Sequence, residues 1–379
     1  MMSGSMVVAN TRPLDGLLVV SIEQAVAAPM CTMRLADAGA RVLKIEPPHG
    51  ETARHYDGSV AGVSSYFASV NRGKESVCLD LSASEDAGLL DRILARADVF
   101  VRNTSPGAME RRGLGAAKLC QRFPRLITVD IVGYGQDTDA RALKAYDMLV
   151  QAESGLCSVT GTPADPCKIG VSIVDMGTGM NAYAAILEAL ISRAQTGRGA
   201  ALELAMFDTA AEWMSVPLLQ LEHTGKATAR HGMAHASIYP YRPYPCRDGA
   251  VIVAVQNNAQ FVAFCRDVLQ SPGLGEDQRF LTNALRVENR GALDALIMAV
   301  SERLTMAEFI QSLTMAGTAF GTLSALPTLG DHAALRRQPV QVGGHRVNGV
   351  ASPVRGALSS VPALPALGEH TDAVRTEFV

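Results

Sequence analysis

Apolar residues fall into short blocks separated by amphipathic stretches. "GLLVVSI" (16–22) and "RVLKIE" (41–46) read as strands, and "PMCTMRLADAGA" (29–40) between them reads as a helix. Pro29 suits that helix's first turn and Gly39 its end. The next pattern predicts a helix from about Ser84 to Ala97, a strand in "ADVFVRN", and another in "RLITVDIVGYG" (125–135). Strands alternating with helices of this length imply an α/β fold with a mostly parallel sheet covered on both faces.

The pattern then predicts a helix from about Gly179 to Ala194, stopping at "QTGRG", where Gly197 caps it. "AALELAMFD" (200–208) reads as strand into helix, and the helix through "TAAEWMSVPLLQLE" should bend or break near Pro217. After about Lys226 the texture changes. "HASIYPYRPYPCRDGAVIVAV" is rich in proline and tyrosine, then becomes a strand past the "RDG" turn. Amphipathic helices follow to about residue 317, and from Thr328 to Pro365 the chain is rich in proline and glycine with short strand-like pieces. The expected organisation is a first domain over 14–225, a smaller one over 226–327, and a tail over 328–379 that returns to the first.

Composition narrows the function. The 379 residues are 48% hydrophobic and 19% charged with a net charge of −3, which fits a globular chain and excludes a disordered one. No basic or acidic block is present, which argues against nucleic acid or an anionic membrane as partner, though not against a small anionic ligand. No apolar run reaches the roughly 18–20 residues of a membrane span. The start lacks the features of a signal peptide. The seven cysteines are scattered without a CxxC pair, so neither a disulfide framework nor a zinc site is expected, and a cytoplasmic setting fits.

Several familiar chemistries lack their residues. The turn after the first strand, "SIEQAVAAPM", has no glycine, so the GxGxxG dinucleotide fingerprint is missing. "GTGMNAY" lacks the lysine of a Walker A loop, and no GxSxG stands in a strand–turn–helix context. His231 and His235 would share a face only in a helix, which nearby glycine and proline disfavour, so no metal site is expected there. One stretch remains: "KIGVSIVDMGTGM" (168–180), an apolar run ending on Asp175 and followed by small residues. One reading is a helix N-cap. The other is a nucleophilic carboxylate at a helix N-terminus, kept ionised by the helix dipole, with Gly177 and Gly179 leaving room for a ligand and exposing N–H groups. Spacing leaves both open.

Six stretches then act together: "QAVAAPMCTMRLADAGARVLKIEPPHGETAR", "NRGKESVCLDL", "ADVFVRNTSPGAMERRGLG", "VDMGTGM", "QTGRGAALELAMFDT" and "LGEHTDAV". In order and spacing the chain resembles the family III CoA-transferases, the group that includes formyl-CoA transferase, carnitine CoA-transferase and α-methylacyl-CoA racemase. The resemblance runs from about residue 14 to the C-terminus. It implies a Rossmann-like large domain plus a smaller α+β domain, in an interlocked homodimer. It also implies coenzyme A or its thioester as substrate, with no permanently bound cofactor and no metal.

The family's catalytic aspartate falls on Asp175, which would attack the thioester to give an aspartyl anhydride and then an aspartyl-CoA thioester. Val26 and Ala27 match the loop against CoA, and Leu79, Asp80 and Leu81 a segment along its nucleotide. Asn103 and Thr104 match a strand end that meets the ligand, Arg111 an arginine near the phosphates, and Lys144 and Tyr146 a further CoA-contacting stretch. The racemase branch has a histidine base where this chain has Tyr146, and a tyrosine near pKa about 10 is a poor base at neutral pH. Transfer is therefore expected over racemisation, the alternative. The transferase branch's glycine-rich loop is replaced by "AVQNNAQF" (254–261). "MAHASIYPYRPYPCRDG" is similar to relatives acting on short dicarboxylates, which nominates His235, Ser237, Tyr239 and Arg242 for a distal carboxylate.

Overall fold

The computed structural model describes residues 12–355 and 361–379. Six parallel strands build the main sheet: β1 (Leu18–Ile22), β2 (Arg41–Glu46), β3 (Glu75–Cys78), β4 (Val99–Arg102), β5 (Ile127–Val132) and β6 (Ala201–Ala205). Their order is β3-β2-β1-β4-β5-β6, the doubly wound arrangement whose order reverses between β1 and β4. Five helices matter below: α1 (Ala27–Asp37), α2 (Ser84–Leu94), α3 (Asp147–Glu153), α4 (Ile173–Thr196) and α5 (Met206–Trp213).

Neighbouring residues of each strand feed opposite faces, as the two-residue pleat requires. Val19, Val42, Val99 and Val129 pack with α1 and with Ala182, Ile186 and Ala189 of α4. Val20, Leu43, Val77 and Phe100 pack with Leu89, Leu90 and Ile93 of α2 and with Val374 and Phe378 from the chain's tail. Two covered faces explain why the strands read as unbroken apolar runs.

The chain divides into two compact units. The first comprises the chain up to Gly155, Ile169–Ser215 and the chain from Arg336 onward; the second comprises Leu156–Lys168 and Val216–Leu335. Sequence texture set the change near Lys226 and assigned 156–168 to the first domain. The break falls instead at the joint between α5 and the helix Ser215–Thr224, just before Pro217.

In the second unit, β7 (Tyr241–Cys246), β8 (Gly249–Ala254) and β9 (Ala319–Thr322) form an antiparallel sheet in that order. Pro243 and Pro245 lie on β7, an edge strand, where a missing N–H leaves ladder bonding on one side intact. Val251 and Val253 meet Phe261, Phe264, Leu293, Ile297 and Phe309 of the surrounding helices in its core. In the tail, β10 (Arg337–Val342), β11 (His345–Val350) and β12 (Ala363–Leu364) form a small sheet of the first unit, and the helix Thr371–Glu377 follows. Among the described residues no helix is long and apolar enough to cross a membrane.

Candidate active site

In doubly wound sheets the ligand crevice lies beyond the carboxyl ends of the strands where their order reverses, here β1 and β4. Asn103, just past β4, stitches those ends together. Its Oδ1 accepts from Gln24 N at 2.8 Å and its Nδ2 donates to Gln24 O at 2.9 Å. Ala25 follows in the left-handed region at φ 60, and its N–H donates to Glu51 Oε2 at 2.8 Å. The loop is thus fixed from both sides before Val26 and Ala27 open α1.

Beneath it lies a buried group of charges. Lys74 Nζ donates to Glu23 Oε1 at 2.7 Å, to Asn71 Oδ1 at 2.9 Å and to the carbonyl of Pro29 at 3.0 Å. Thr32 Oγ1 donates to Glu23 Oε2 at 2.7 Å, and Lys44 Nζ to Glu51 Oε1 at 3.0 Å. Arg54 grips Glu46 through two bonds of 2.7 Å. Burial alone would raise the Glu23 carboxyl, but Lys74 and Lys44 bring it down to about 2. Every carboxylate in this group has a cation, which is what makes its burial tolerable.

Asp175 is not a helix N-cap, but it does stand at a helix N-terminus. The helix starts at Ile173 rather than near Gly179, with Ser172 at the N-cap, so Asp175 is the third residue of its first turn and not its cap. The four leading N–H groups are all engaged: Ile173 N to the Val171 carbonyl at 2.8 Å, Met176 N to that of Ser172 at 3.0 Å, and Val174 N and Asp175 N to Asp147 Oδ1 at 2.8 and 3.2 Å. The N–H groups of Gly177 and Gly179 belong to the helix ladder. They do not face a ligand as expected. Nor do these glycines leave space: a Cβ at 177 would overlap the Trp213 ring, and one at 179 the carbonyl oxygen of Ala27. Close packing is their role. It seats α4 against the start of α1, where Met176 also joins Val26, Met30, Met33 and Val70.

The half-buried Asp175 carboxyl accepts no hydrogen bond from the described residues. Burial, and then the like charge of Asp147, push it up to about 7. The expectation that the helix dipole keeps it ionised is therefore corrected, because the donors that would do so are spent on Asp147 and on backbone carbonyls. Asp147 directly follows Tyr146 and was not singled out from sequence; its contacts span 27 and 28 positions, beyond the reach of local pattern.

The remaining nominated residues separate into groups. Leu79, Asp80 and Leu81 line a cavity of about 230 Å³ with Ile22, Pro47 and Arg112, at the carboxyl ends of β1 to β3. Arg112, whose Nη1 donates to the Leu81 carbonyl at 2.8 Å, faces this cavity, whereas its nominated neighbour Arg111 is exposed and does not line it. Thr104 is half-buried beside Asn103. Lys144 is exposed, and Tyr146 is 69% exposed at the N-cap of α3. A larger cavity of about 300 Å³ sits at the opposite ends of the strands, lined by Gly16, Arg41, Arg96 and Phe378, where doubly wound sheets do not place their ligands.

In the second unit, Tyr239 is fully buried and donates to Asp294 Oδ1 at 2.5 Å, while Arg242 Nη1 donates to Asp294 Oδ2 at 2.6 Å. Tyr244 adds a bond of 2.9 Å to the same carboxylate. These two nominated donors serve the unit's own core and are not free to receive a ligand carboxylate. Exposed His235 accepts at Nδ1 from Ser237 N and Ile238 N, both at 3.0 Å, which puts its remaining proton on Nε2. Exposed Ser237 receives a bond from Gln220 at 3.3 Å and keeps its own proton to give. In "AVQNNAQF", Asn257 caps the helix Asn258–Ala263 by accepting from Gln260 N. No cluster of three or more metal-ligating side chains occurs among the described residues.

A doubly wound sheet without a dinucleotide fingerprint, carrying an aspartate beside the loop after β1, defines the class to look for. Comparison with known proteins identifies it. A match to CoA-transferase family III spans residues 14–371, and the chain belongs to that family. It is 34% identical to acetyl-CoA:oxalate CoA-transferase of Acetobacter aceti, covering 97% of this chain and 96% of that one. It is 30% identical to human succinyl-CoA:glutarate CoA-transferase, covering 98% and 87%. The crystal structure of a CAIB/BAIF family protein from Brucella suis superposes with a TM-score of 0.83 at 31% identity, covering 98% and 100%. The protein is a CoA-transferase, an enzyme whose substrates are CoA thioesters.

Proposed function

We propose that the protein moves CoA between short dicarboxylic acids of four to six carbons, with Asp175 as covalent nucleophile. A carboxylate oxygen of Asp175 attacks the thioester carbonyl; the C–S bond breaks, leaving an aspartyl anhydride and CoA thiolate. The thiolate attacks the aspartyl carbonyl, releasing the donor acid and forming an aspartyl-CoA thioester. The acceptor carboxylate attacks that carbonyl and expels the thiolate, which then takes the acceptor's acyl group and frees Asp175. Thioester and anhydride are comparably activated acyls, so each step balances without ATP.

One observation carries this reading: Asp175 is a half-buried carboxyl with no cation and no hydrogen-bond donor on it among the described residues, beside the loop where the sheet order reverses. A carboxylate left this bare is a better nucleophile than one held in a salt bridge. The cavity lined by Leu79, Asp80, Leu81 and Arg112 supports binding of the CoA nucleotide. The acids in the relatives' names, oxalate and glutarate, support a dicarboxylate acceptor. Val216, Leu218, Leu219 and Leu221 stand exposed on the helix Ser215–Thr224, which supports a homodimer.

The test is incubation with acyl-CoA followed by hydroxylamine and mass spectrometry of the peptide containing residue 175, together with CoA exchange across mono- and dicarboxylic acids from oxalate upward. Hydroxamate at Asp175 and preference for succinate- to adipate-sized acids are expected. Solvent deuterium at the α-carbon without an acceptor would indicate racemisation instead.

A further inference from the structure

We propose that Asp147 is a positioning residue for Asp175, capping the first turn of α4 from outside and occupying the donors that would otherwise hold Asp175 as an anion. This rests on Asp175 being the nucleophile.

The helix does not cap itself. Ser172 stands at the N-cap with its side chain unused. The acceptor arrives from α3: Asp147 Oδ1 takes Val174 N at 2.8 Å and Asp175 N at 3.2 Å. Its second oxygen takes Gln151 Nε2 at 2.6 Å, one helical turn along. Gln151 is fully buried, and its Oε1 accepts from Ile169 N at 2.8 Å. Asp147 and Gln151 thus hold the segment 169–175 at two points, and the carboxyl of Asp175 inherits its location from that clamp.

The arrangement has an electrostatic consequence. A helix N-terminus stabilises an anion through unpaired N–H groups in its first turn. Here an anion already sits on them, and its charge acts on the next carboxyl. Charged side chains on the elements packed against α4 are Arg34 and Asp37 (α1), Asp130 (β5), Glu153 (α3), Glu203 (β6), and Asp208 and Glu212 (α5). The charge that raises the Asp175 carboxyl is that of Asp147. The nucleophile is therefore kept in place by the same group that keeps it weakly charged.

Two variants of the full-length protein separate position from charge. Asp147→Asn keeps an oxygen acceptor for the two N–H groups but removes the charge and the acceptor of the Gln151 Nε2 bond; Asp147→Ala removes all three. Asp147→Asn should move the ascending limb of the kcat/KM pH profile down by about one unit, since unit charges a few ångströms apart interact by about that much. Asp147→Ala should lower kcat about 10- to 100-fold with little change in KM, the cost of a displaced reacting group. Hydroxylamine trapping at Asp175 in the unmodified protein is the control. If trapping occurs there, an unmoved limb in Asp147→Asn overturns the proposal, whether or not Asp147→Ala folds. Absence of trapping in the unmodified protein overturns the nucleophile assignment itself.

Discussion

Glu23 is more deeply buried than Asp175, yet it is Glu23 that holds its charge. Two lysines reach Glu23, and against the cost of burial they bring its carboxyl down to about 2. Among the described residues no cation reaches Asp175, and burial with Asp147 brings it up to about 7. Both acids lie in the first unit, one under the loop after β1 and the other beside its continuation into α1. The difference teaches that burial alone does not make an acid reactive. What distinguishes the two is the sign of the neighbouring charge. A paired carboxylate serves as a rivet, and one facing another acid keeps its lone pairs for chemistry.

The contrast is broken most severely by removing the proposed nucleophile. Asp175→Asn should lower CoA transfer by about 10⁴-fold or more, as loss of a covalent nucleophile does, while far-UV circular dichroism stays native. Retention of a tenth of the activity would end the distinction between the two acids. Next comes the rivet. Lys74→Met leaves Glu23 short of a partner inside the protein and should cost about 3–5 kcal/mol, read from the urea midpoint. A loss under about 1 kcal/mol would rank the cluster with surface pairs. Gly179→Ala should cost about 1–3 kcal/mol and slow transfer, because the methyl group presses on the Ala27 carbonyl.

The smallest effects are in pH. The Glu23 carboxyl is lowered on folding, so its contribution is full above about 4.5 and disappears as pH falls toward about 2; acid titration followed by fluorescence should show stability lost across that window. Asp175 is raised on folding, so the native protein binds its proton more tightly than the unfolded chain does. Stability attributable to it therefore falls as pH rises from about 3.8 to about 7 and then levels off. Asp175→Asn should accordingly gain a few degrees in Tm relative to the unmodified protein at pH 8, and no such gain at pH 4. In the unmodified enzyme kcat/KM should climb through the same range to a plateau above about 7.

Much of the first unit was legible. The bounds of β2 fall where its apolar run begins and ends, and β1, α1, α2, β4, β5 and β6 lie within a few residues of expectation. Three strands went unseen for local reasons. β3 is a four-residue edge strand with polar residues at 75 and 76, β7 carries two prolines, and β9 is a four-residue edge strand containing a glycine. The start of α4 was hidden because "VSIVDMGTGM" looks like a strand running into a glycine turn. Packing overrides that preference: Trp213 and Ala27 require glycine on their respective faces of the helix. Asp175 was nominated through its motif. Arg112, Asp147 and the job of Lys74 in "NRGK" were not, because each acts through a contact between segments distant in sequence.

The first unit is assembled from three separated stretches of chain, the last of them beginning at Arg336. Cys78 N donates to Thr371 Oγ1 at 2.9 Å, and Val374 and Phe378 close the apolar layer over β2 and β3. On the ribosome that layer stays wet while the whole intervening unit is made, at about 5–20 residues per second. Newly made chains therefore present a sticky, half-roofed sheet for many seconds, long enough for chaperones to engage, and a stalled or clipped message would release a product that aggregates instead of one that works slowly.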